Sequence, residues 1–276
     1  MSKGLLDPKV DFVFKNIFGS PNHPEILISF LNATLKAKKK IVNVDIKKTD
    51  IEKQYIEDKY SRLDVKATTS NDEIINIEIQ LKNENNMVKR SLYYLSKMYE
   101  EQLNEKEDYS KLVRTVCINI LNFKYLKTDN FHTGYRFKEI ESNEELTDIM
   151  EVHFIEIPKL QDSSDEKDML VAWTEFLKDP ESEKVRGLEL SIEEIRQAKD
   201  ELIRMSNDST QRELYDMRAN SLRDKMSELN AAERKGIEKG REEEKIKIAI
   251  NMKLNGLDTN TIANVTNLSE DEIDKL

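Results

Sequence analysis

The sequence predicts a mixed α/β core followed by an all-helical C-terminal extension. Residues 62–67 and 74–82 alternate between apolar and polar side chains, and the turn-forming stretch at 68–73 indicates one β-hairpin. Runs with helical spacing lie on both sides of this hairpin, and two later runs are rich in β-branched residues. From residue 191 onward the pattern is helical and strongly charged. These observations predict a central sheet flanked by helices, with a helical segment after it.

The individual elements follow from local spacing. Leu92, Leu95 and Met98 recur at helical intervals, which predicts a helix near 87–104. Trp173 marks a later helix whose aromatic side is expected to pack in the core. The predicted elements are helices at 24–35, 87–104, 191–205 and 209–235, and strands at 41–46, 62–67, 74–82, 113–123 and 152–157.

The hairpin brings two acids and an amide onto one face. Glu78 and Gln80 share the polar side of the second arm, and Asp64 lies on the polar side of the first. Directly opposed positions in an antiparallel pair have a constant sum of residue numbers, so a turn centred near Asn71 places Asp64 opposite Glu78. Their Cβ atoms would then lie about 5 Å apart.

Two ionised carboxylates at this separation repel each other unless a cation lies between them. Oxygen ligands suit Mg²⁺ or Mn²⁺ rather than Zn²⁺, and such an ion can promote hydrolysis of a phosphodiester. Gln80 could hydrogen-bond the attacking water, but an amide cannot accept a proton. The alternative is an ordinary solvated face, because 36% of the chain is charged. The two strands alone favour that alternative.

The surrounding sequence resembles a known family. The resemblance is carried in order by residues 6–19 (LDPKVDFVFKNIFG), 58–59 (DK), 61–65 (SRLDV), 76–80 (NIEIQ) and 89–94 (KRSLYY). Together these segments resemble the Rpn family of recombination-promoting nucleases, which are also described as transposases with a PD-(D/E)XK nuclease domain. The resemblance covers roughly the first 125 residues and continues more faintly to the C-terminus.

This resemblance implies a PD-(D/E)XK restriction-endonuclease-like core. In that fold an acid of the second core strand and an acid of the third bind the metal ion, which implies catalytic and metal-binding roles for Asp64 and Glu78. Gln80 stands where the superfamily usually has lysine, a variant that the Rpn family shares, and it is the third catalytic candidate. Asp11 on the first helix is implied as a further metal ligand, although it could equally cap or solvate its own helix.

Lys15, Lys82 and Arg90 are the candidates for DNA binding. Arg90 resembles the family's basic residue after the third strand and could clamp a phosphate. A surface ion pair is an equally good interpretation of this arginine.

The implied function is a Mg²⁺-dependent DNA endonuclease, with Mn²⁺ as a substitute ion, linked to recombination or mobile elements. A catalytically inactive nuclease-fold protein that binds DNA or other proteins is the alternative, which the acidic C-terminal half and the missing lysine favour. The description of the family as transposases adds strand transfer as a third hypothesis.

The charge distribution bears on DNA binding. The net charge is -10, whereas phosphate binding normally requires an excess of Lys and Arg. Residues 1–99 carry 17 basic and 13 acidic residues, a net of +4, and residues 161–276 carry 19 and 28, a net of -9. The acid is therefore concentrated in the C-terminal part. A basic cluster precedes the hairpin and could follow a DNA backbone, although a solvated helix end is the commoner meaning; it comprises Lys36, Lys38, Lys39, Lys40, Lys47 and Lys48.

Several other classes of protein are disfavoured. The three histidines show no spacing typical of a zinc site, and the seven glycines form no phosphate-binding loop. Cys117 lies in an apolar run and is expected to be buried. No apolar run approaches the length of a membrane span, and Asp7-Pro8 interrupts the position of a secretory signal, so a cytoplasmic location is expected.

The expected organisation is a nuclease domain at 1–180, a helical extension at 181–235 that packs on or beside the core, and a charged helical linker with a small helix-turn-helix-like tail at 236–276. The tail contains two short amphipathic helices, the second capped by Ser269, and resembles a helix-turn-helix. Its second helix is acidic, which a recognition helix facing phosphates should not be. DNA is the expected partner of the chain, and the C-terminal helices are predicted to contact proteins or to self-associate.

Overall fold

A six-stranded mixed sheet organises the first part of the chain. The strand order is β1-β2-β3-β4-β6-β5, in which β1, β2 and β3 are antiparallel, β3, β4 and β6 are parallel, and β5 is antiparallel to β6. The strands are β1 (Val44–Lys47), β2 (Val65–Thr69), β3 (Ile74–Gln80), β4 (Thr115–Leu121), β5 (His132–Lys138) and β6 (Glu145–Glu156).

The computed structural model describes residues 4–36, 39–47, 65–165 and 167–276. It forms two compact units, Met1–Arg218 and Ala219–Leu276, whose boundary falls within one long helix. The helices are α1 (Asp11–Phe18), α2 (Pro24–Leu35), α3 (Met87–Glu100), α4 (Met169–Lys178), α5 (Glu183–Glu189), α6 (Glu193–Asn207), α7 (Ser209–Leu254), α8 (Thr259–Thr266) and α9 (Glu270–Asp274). The expected α/β core with a helical C-terminal extension is confirmed.

The predicted register of the hairpin is confirmed over its described part. Val65 lies opposite Ile77 and Lys66 lies opposite Asn76, so that paired residue numbers sum to 142, as 64 and 78 do. The predicted alternation also holds in β2, where Val65 and Ala67 are buried while Lys66 is half-buried. In β3, by contrast, both faces are buried. A solvated polar face is therefore wrong for this strand.

Two different layers cover the sheet. Gly19, at the end of α1, lies against β2, since a Cβ added to it would be 3.3 Å from Val65 Cγ2. Nearby, Trp173 of α4 contacts the rings of Phe18 and Phe30, and all three side chains are fully buried. The predicted core role of Trp173 is thus confirmed.

Helix α3 covers the opposite face. Its residues Met87 and Leu95 pack with Leu121 and Phe154, which lie on β4 and β6. Leu92 was expected on the buried side of this helix, but it is 49% exposed. The reason is that Ser91 occupies the buried face, where Asn119 offers it a hydrogen-bond partner.

One continuous helix spans the predicted helix at 209–235 and the first part of the predicted helical linker. The predicted helix at 209–235 continues to Leu254 as part of α7, through Gly236 and Gly240. A glycine within a helix costs about 1 kcal/mol relative to alanine, which a helix of this length can absorb. Strand β5 was not predicted at all.

The second unit contains a small helical core. Asp258 caps α8, and Ser269 forms a capping box with Glu272 at the start of α9, as the sequence predicted for Ser269. No helix among the described residues is long and apolar enough to cross a membrane. The core is formed by Ala249, Ile262, Leu268 and Ile273.

Candidate active site

The Glu78 carboxylate is buried between β3 and the first turns of α3. The residue is only 1% exposed, and its Oε2 accepts a hydrogen bond from Nε of Arg90 at 3.2 Å. Its Oε1 is also buried and has no hydrogen-bond partner of good geometry among the residues that the structure describes. Burial raises the pKa of Glu78, and the charge and hydrogen bond of Arg90, together with the neighbouring Asn76 side chain, oppose that shift only in part. A second cation at Oε1 would favour the ionised form.

A polar cluster surrounds this carboxylate. Asn119 lies beside Glu78 in the parallel register of β3 and β4, and it accepts a hydrogen bond from Ser91 at 2.9 Å. Its amide nitrogen donates to the carbonyl of His153 at 3.1 Å. Asn119 is therefore satisfied and serves to fix the position of α3 over the sheet. Ser91, rather than an apolar residue, lies at this buried contact because its hydroxyl donates the hydrogen bond that Asn119 accepts.

Asn76 provides a second oxygen without a donor. It lies two residues before Glu78, on the same face of β3, and its Oδ1 is buried and accepts no hydrogen bond from the described part of the chain. An unsatisfied buried acceptor costs about 1–3 kcal/mol. Two such oxygens on neighbouring positions of one face form a set of hard ligands of the kind that Mg²⁺ or Mn²⁺ binds.

Cys117 borders the cluster without offering a reactive thiolate. Its Sγ lies 3.9 Å from the amide nitrogen of Asn76. Burial, and then the nearby carboxylate of Glu78, raise the pKa of Cys117 to about 12. The thiol stays protonated at neutral pH, so Cys117 is a buried strand residue as predicted.

Of the other two predicted catalytic residues, the structure describes Gln80 but not Asp64. Asp64 lies outside the described residues, and its position opposite Glu78 stays a prediction. Gln80 is half-buried at the last position of β3, on the same face as Glu78. Among the described residues, no three His, Cys, Asp or Glu side chains come together to hold a metal ion. The proposed centre thus depends on Asp64.

Asp11 has two partners of its own. Its Oδ1 accepts a hydrogen bond from the backbone of Phe12 at 2.7 Å, and its Oδ2 accepts one from Arg218 at 3.0 Å. Asp11 is the first residue of α1, whose N-cap position has no side-chain cap, so these contacts are a local hydrogen bond and an ion pair rather than a cap. Its role as a metal ligand stays a prediction.

The predicted DNA-binding residues lie on three elements. Arg90 makes an ion pair, but the pair is with the buried Glu78 and leaves Arg90 24% exposed. The guanidinium also lies 5.4 Å from the centre of the Tyr94 ring. Lys15 is half-buried on α1, and Lys82 is half-buried just after β3. None of these contacts tests DNA binding.

Comparison with known families identifies the chain. Residues 8–232 match the family described as PD-(D/E)XK nuclease family transposase, which is well over half of the protein. The chain belongs to this PD-(D/E)XK family. Residues 242–276 match the C-terminal helix-turn-helix domain of the Rpn/YhgA-like nuclease family. The resemblance to Rpn nucleases is therefore confirmed, and so is the helix-turn-helix character of the tail. No curated protein and no solved structure matches the chain.

Membership in the PD-(D/E)XK family supports a nuclease-like function. Nucleases of this group generally use divalent metal ions. The helix-turn-helix domain indicates DNA binding.

A histidine pair on β5 and β6, with His153 buried and His132 half-buried, was missed by the sequence analysis. Nε2 of His132 lies 2.9 Å from Nδ1 of His153, whose Nε2 lies 2.7 Å from Glu151. Glu151 also accepts hydrogen bonds from Arg114 and Arg136. The available signal for β5 was a weak alternation of side-chain type, with the aromatic residues at 135 and 137 separated by polar residues or glycine at 132, 134 and 136.

The histidine pair predicts acid sensitivity of the first unit. Burial, then the neighbouring His153 and Lys36, lower the pKa of His132 to about 4, against the opposing influence of Asp168 and Glu151. The unfolded chain therefore binds a proton near pH 6.5, and the folded chain does not until about pH 4. We expect the free energy of unfolding to fall by up to about 3 kcal/mol over this interval.

Denaturant unfolding at several pH values, followed by fluorescence of the buried Trp173, would measure this loss. His132→Gln removes the titrating group but keeps a donor for His153, so its stability should vary less between pH 6.5 and 4. Equal pH dependence in the two proteins would contradict the prediction. Below about pH 4.5 both should lose stability further, because hydrogen bonds from His153 and Arg114 outweigh the effect of burial and lower the pKa of Glu151 to about 2.

Proposed function

We propose that this protein is a Mg²⁺-dependent DNA endonuclease that also accepts Mn²⁺. The observation that carries the proposal is the Oε1 atom of Glu78, a buried carboxylate oxygen with no hydrogen-bond partner among the described residues. It lies on the strand where the resemblance to the family implies a metal-binding acid. Asp64 would supply the second carboxylate from the opposing strand, in the register that the described part of the hairpin follows.

A divalent ion bound there would lower the pKa of a water molecule and neutralise charge on the phosphate oxygens. Glu78 and Asp64 would hold the ion, and Asp11 is the candidate for a further ligand. Gln80, at the end of the same strand face, would hydrogen-bond the attacking water or a phosphate oxygen. Because Gln80 cannot accept a proton, deprotonation of the water would depend on the metal ion or on the substrate's own phosphate.

Arg90 has two roles in this proposal. Without DNA its guanidinium balances the charge of Glu78 through Oε2. With DNA, its exposed edge would contact a phosphate, for which a planar guanidinium is well suited. Lys82 and Lys15 would add sequence-independent phosphate contacts.

The test is ion-dependent cleavage of plasmid DNA. We expect nicking with Mg²⁺ or Mn²⁺, none with excess chelator, and a loss of Mn²⁺ binding by calorimetry in Asp64→Asn. Arg196→Gln serves as a control, since Arg196 is exposed on α6 and pairs with Glu193. Cleavage that survives chelation, or unchanged ion binding in Asp64→Asn, would refute the metal site.

A catalytically inactive DNA-binding or protein-interaction module is the second candidate. It is favoured by Arg90, which already supplies one positive charge to Glu78, and by Gln80 in place of lysine. Absence of Mn²⁺ binding by the wild-type protein in the presence of DNA would select it. Strand transfer, a link to recombination, and self-association through the C-terminal helices stay predictions.

A further inference from the structure

A row of aromatic rings crosses the same face of the sheet as Glu78. Phe154 of β6 lies beside Asn119, which itself lies beside Glu78, so the three share one face. The Phe154 ring is 6.4 Å from the Tyr125 ring and 6.1 Å from the Tyr135 ring, centre to centre. Two strand spacings separate Phe154 from Glu78, a distance of about 10 Å.

The outer members of this row are accessible. Tyr135 is 48% exposed, whereas Phe154 beneath it is only 3% exposed. Tyr125 is half-buried, and so is Phe123, whose ring lies 6.3 Å from that of Tyr125. Phe154 thus supports the surface rings from below. A firmly supported, half-exposed ring is the kind of surface on which a nucleobase stacks.

The row begins beside a basic surface. The hydroxyl of Tyr125 accepts a hydrogen bond from the backbone of Val88 at 3.4 Å, which places it at the first turn of α3. Lys89 follows Val88, and Lys124 and Lys127 flank Tyr125 in the chain. All three lysines are exposed, and within the described part of the protein none of them forms an ion pair. The local charge therefore suits a phosphate backbone.

We propose that this aromatic and basic surface binds an unpaired, single-stranded segment of nucleic acid next to the Glu78 site. Bases within a duplex are stacked on one another and cannot lie on a tyrosine ring without being unpaired. The surface would therefore favour DNA with a single-stranded region over continuous duplex. Its position relative to a cleavage site rests on the proposed function, whereas the binding itself does not.

The test is binding of a fluorescent oligothymidylate of about 15 nucleotides, in chelator so that no cleavage occurs. Tyr135→Ala should weaken binding about 5- to 150-fold, the loss expected for one stacked base. Tyr135→Phe keeps the ring and should bind like the wild type. Tyr109→Ala, at a tyrosine that is 82% exposed outside the row, is the matched control and should change nothing.

The lysines have a separate readout. Replacing Lys124 and Lys127 with glutamine should reduce the salt dependence of binding, lowering the slope of log K against log salt by about 1 to 2. Fluorescence of Trp173 verifies that each variant is folded.

Three results would overturn the proposal. They are no binding of the oligonucleotide by the wild type, equal binding by Tyr135→Ala, and a Tyr135→Phe variant as weak as Tyr135→Ala. Glu78→Gln separates this proposal from the nuclease proposal, because it should retain oligonucleotide binding. If the wild type binds but never cleaves, only the nuclease proposal fails.

Discussion

Replacing Glu78 with glutamine is expected to reduce DNA cleavage by roughly 10³-fold or more and to leave the protein folded. The loss follows because an amide cannot supply the anionic ligand, and metal stabilisation of a transition state is worth several kcal/mol. The free energy of unfolding should change by no more than about 1 kcal/mol, since glutamine has nearly the shape of glutamate and the substitution removes only a buried charge. Arg90, left without its partner, is 24% exposed and can turn toward water.

The measurement pairs single-turnover cleavage with denaturant unfolding followed by Trp173 fluorescence. Glu175→Gln is the matched control, because Glu175 is also a buried carboxylate with one basic partner, Lys184, but lies on α4. It should cleave normally. Full activity in Glu78→Gln would exclude Glu78 as a metal ligand, and equal loss in both variants would point to a general defect.

The register of the hairpin was predictable because it is set locally. A short turn near Asn71 fixes which residues face each other, and the alternation of β2 and β3 fixes which side chains share a face. The prediction of a polar pair on one face therefore needed no knowledge of the rest of the chain. The helix at Pro24–Leu35 was similarly predictable, since its spacing and its proline at the start are local signals.

The burial of Glu78 was not predictable in the same way. Alternation assigns Glu78 and Asn76 to a polar face but does not say whether water or a helix covers it. That depends on α3, whose Ser91 and Arg90 supply polar partners at a contact that apolar spacing assigns to Leu92. The unsatisfied oxygen of Glu78, on which the proposed function rests, is visible only after this packing is known.

The histidine pair was missed for a different reason. His132 and His153 are 21 residues apart and meet only because β5 folds back on β6. Strand β5 is an edge strand with a register shift after Tyr135, and its outer residues are exposed, so its alternation lacks a clear apolar side. Because β5 was not predicted, the position of Tyr135 and the aromatic surface could not be predicted either.

Replacing Glu156 with alanine is expected to lower the free energy of unfolding of the first unit by about 3–5 kcal/mol. Glu156 is fully buried at the end of β6 and accepts hydrogen bonds from the backbone of Tyr125 and Leu126. It also pairs at 2.7 Å with the buried ammonium of Lys159, which donates to the carbonyls of Leu126 and Thr128. Truncation would leave the Lys159 ammonium without its counter-ion and two backbone N–H groups without their acceptor.

The loss can be assigned by a double substitution. If an uncompensated charge dominates, Glu156→Ala combined with Lys159→Met should be more stable than Glu156→Ala alone. Glu145→Ala, on the same strand but 44% exposed in its side chain, should cost less than about 1 kcal/mol. A Glu156→Ala protein as stable as Glu145→Ala would contradict the prediction. Because Glu156 anchors the chain that carries Tyr125, its loss should also weaken oligonucleotide binding, which links the stability of this loop to the proposed base-stacking surface.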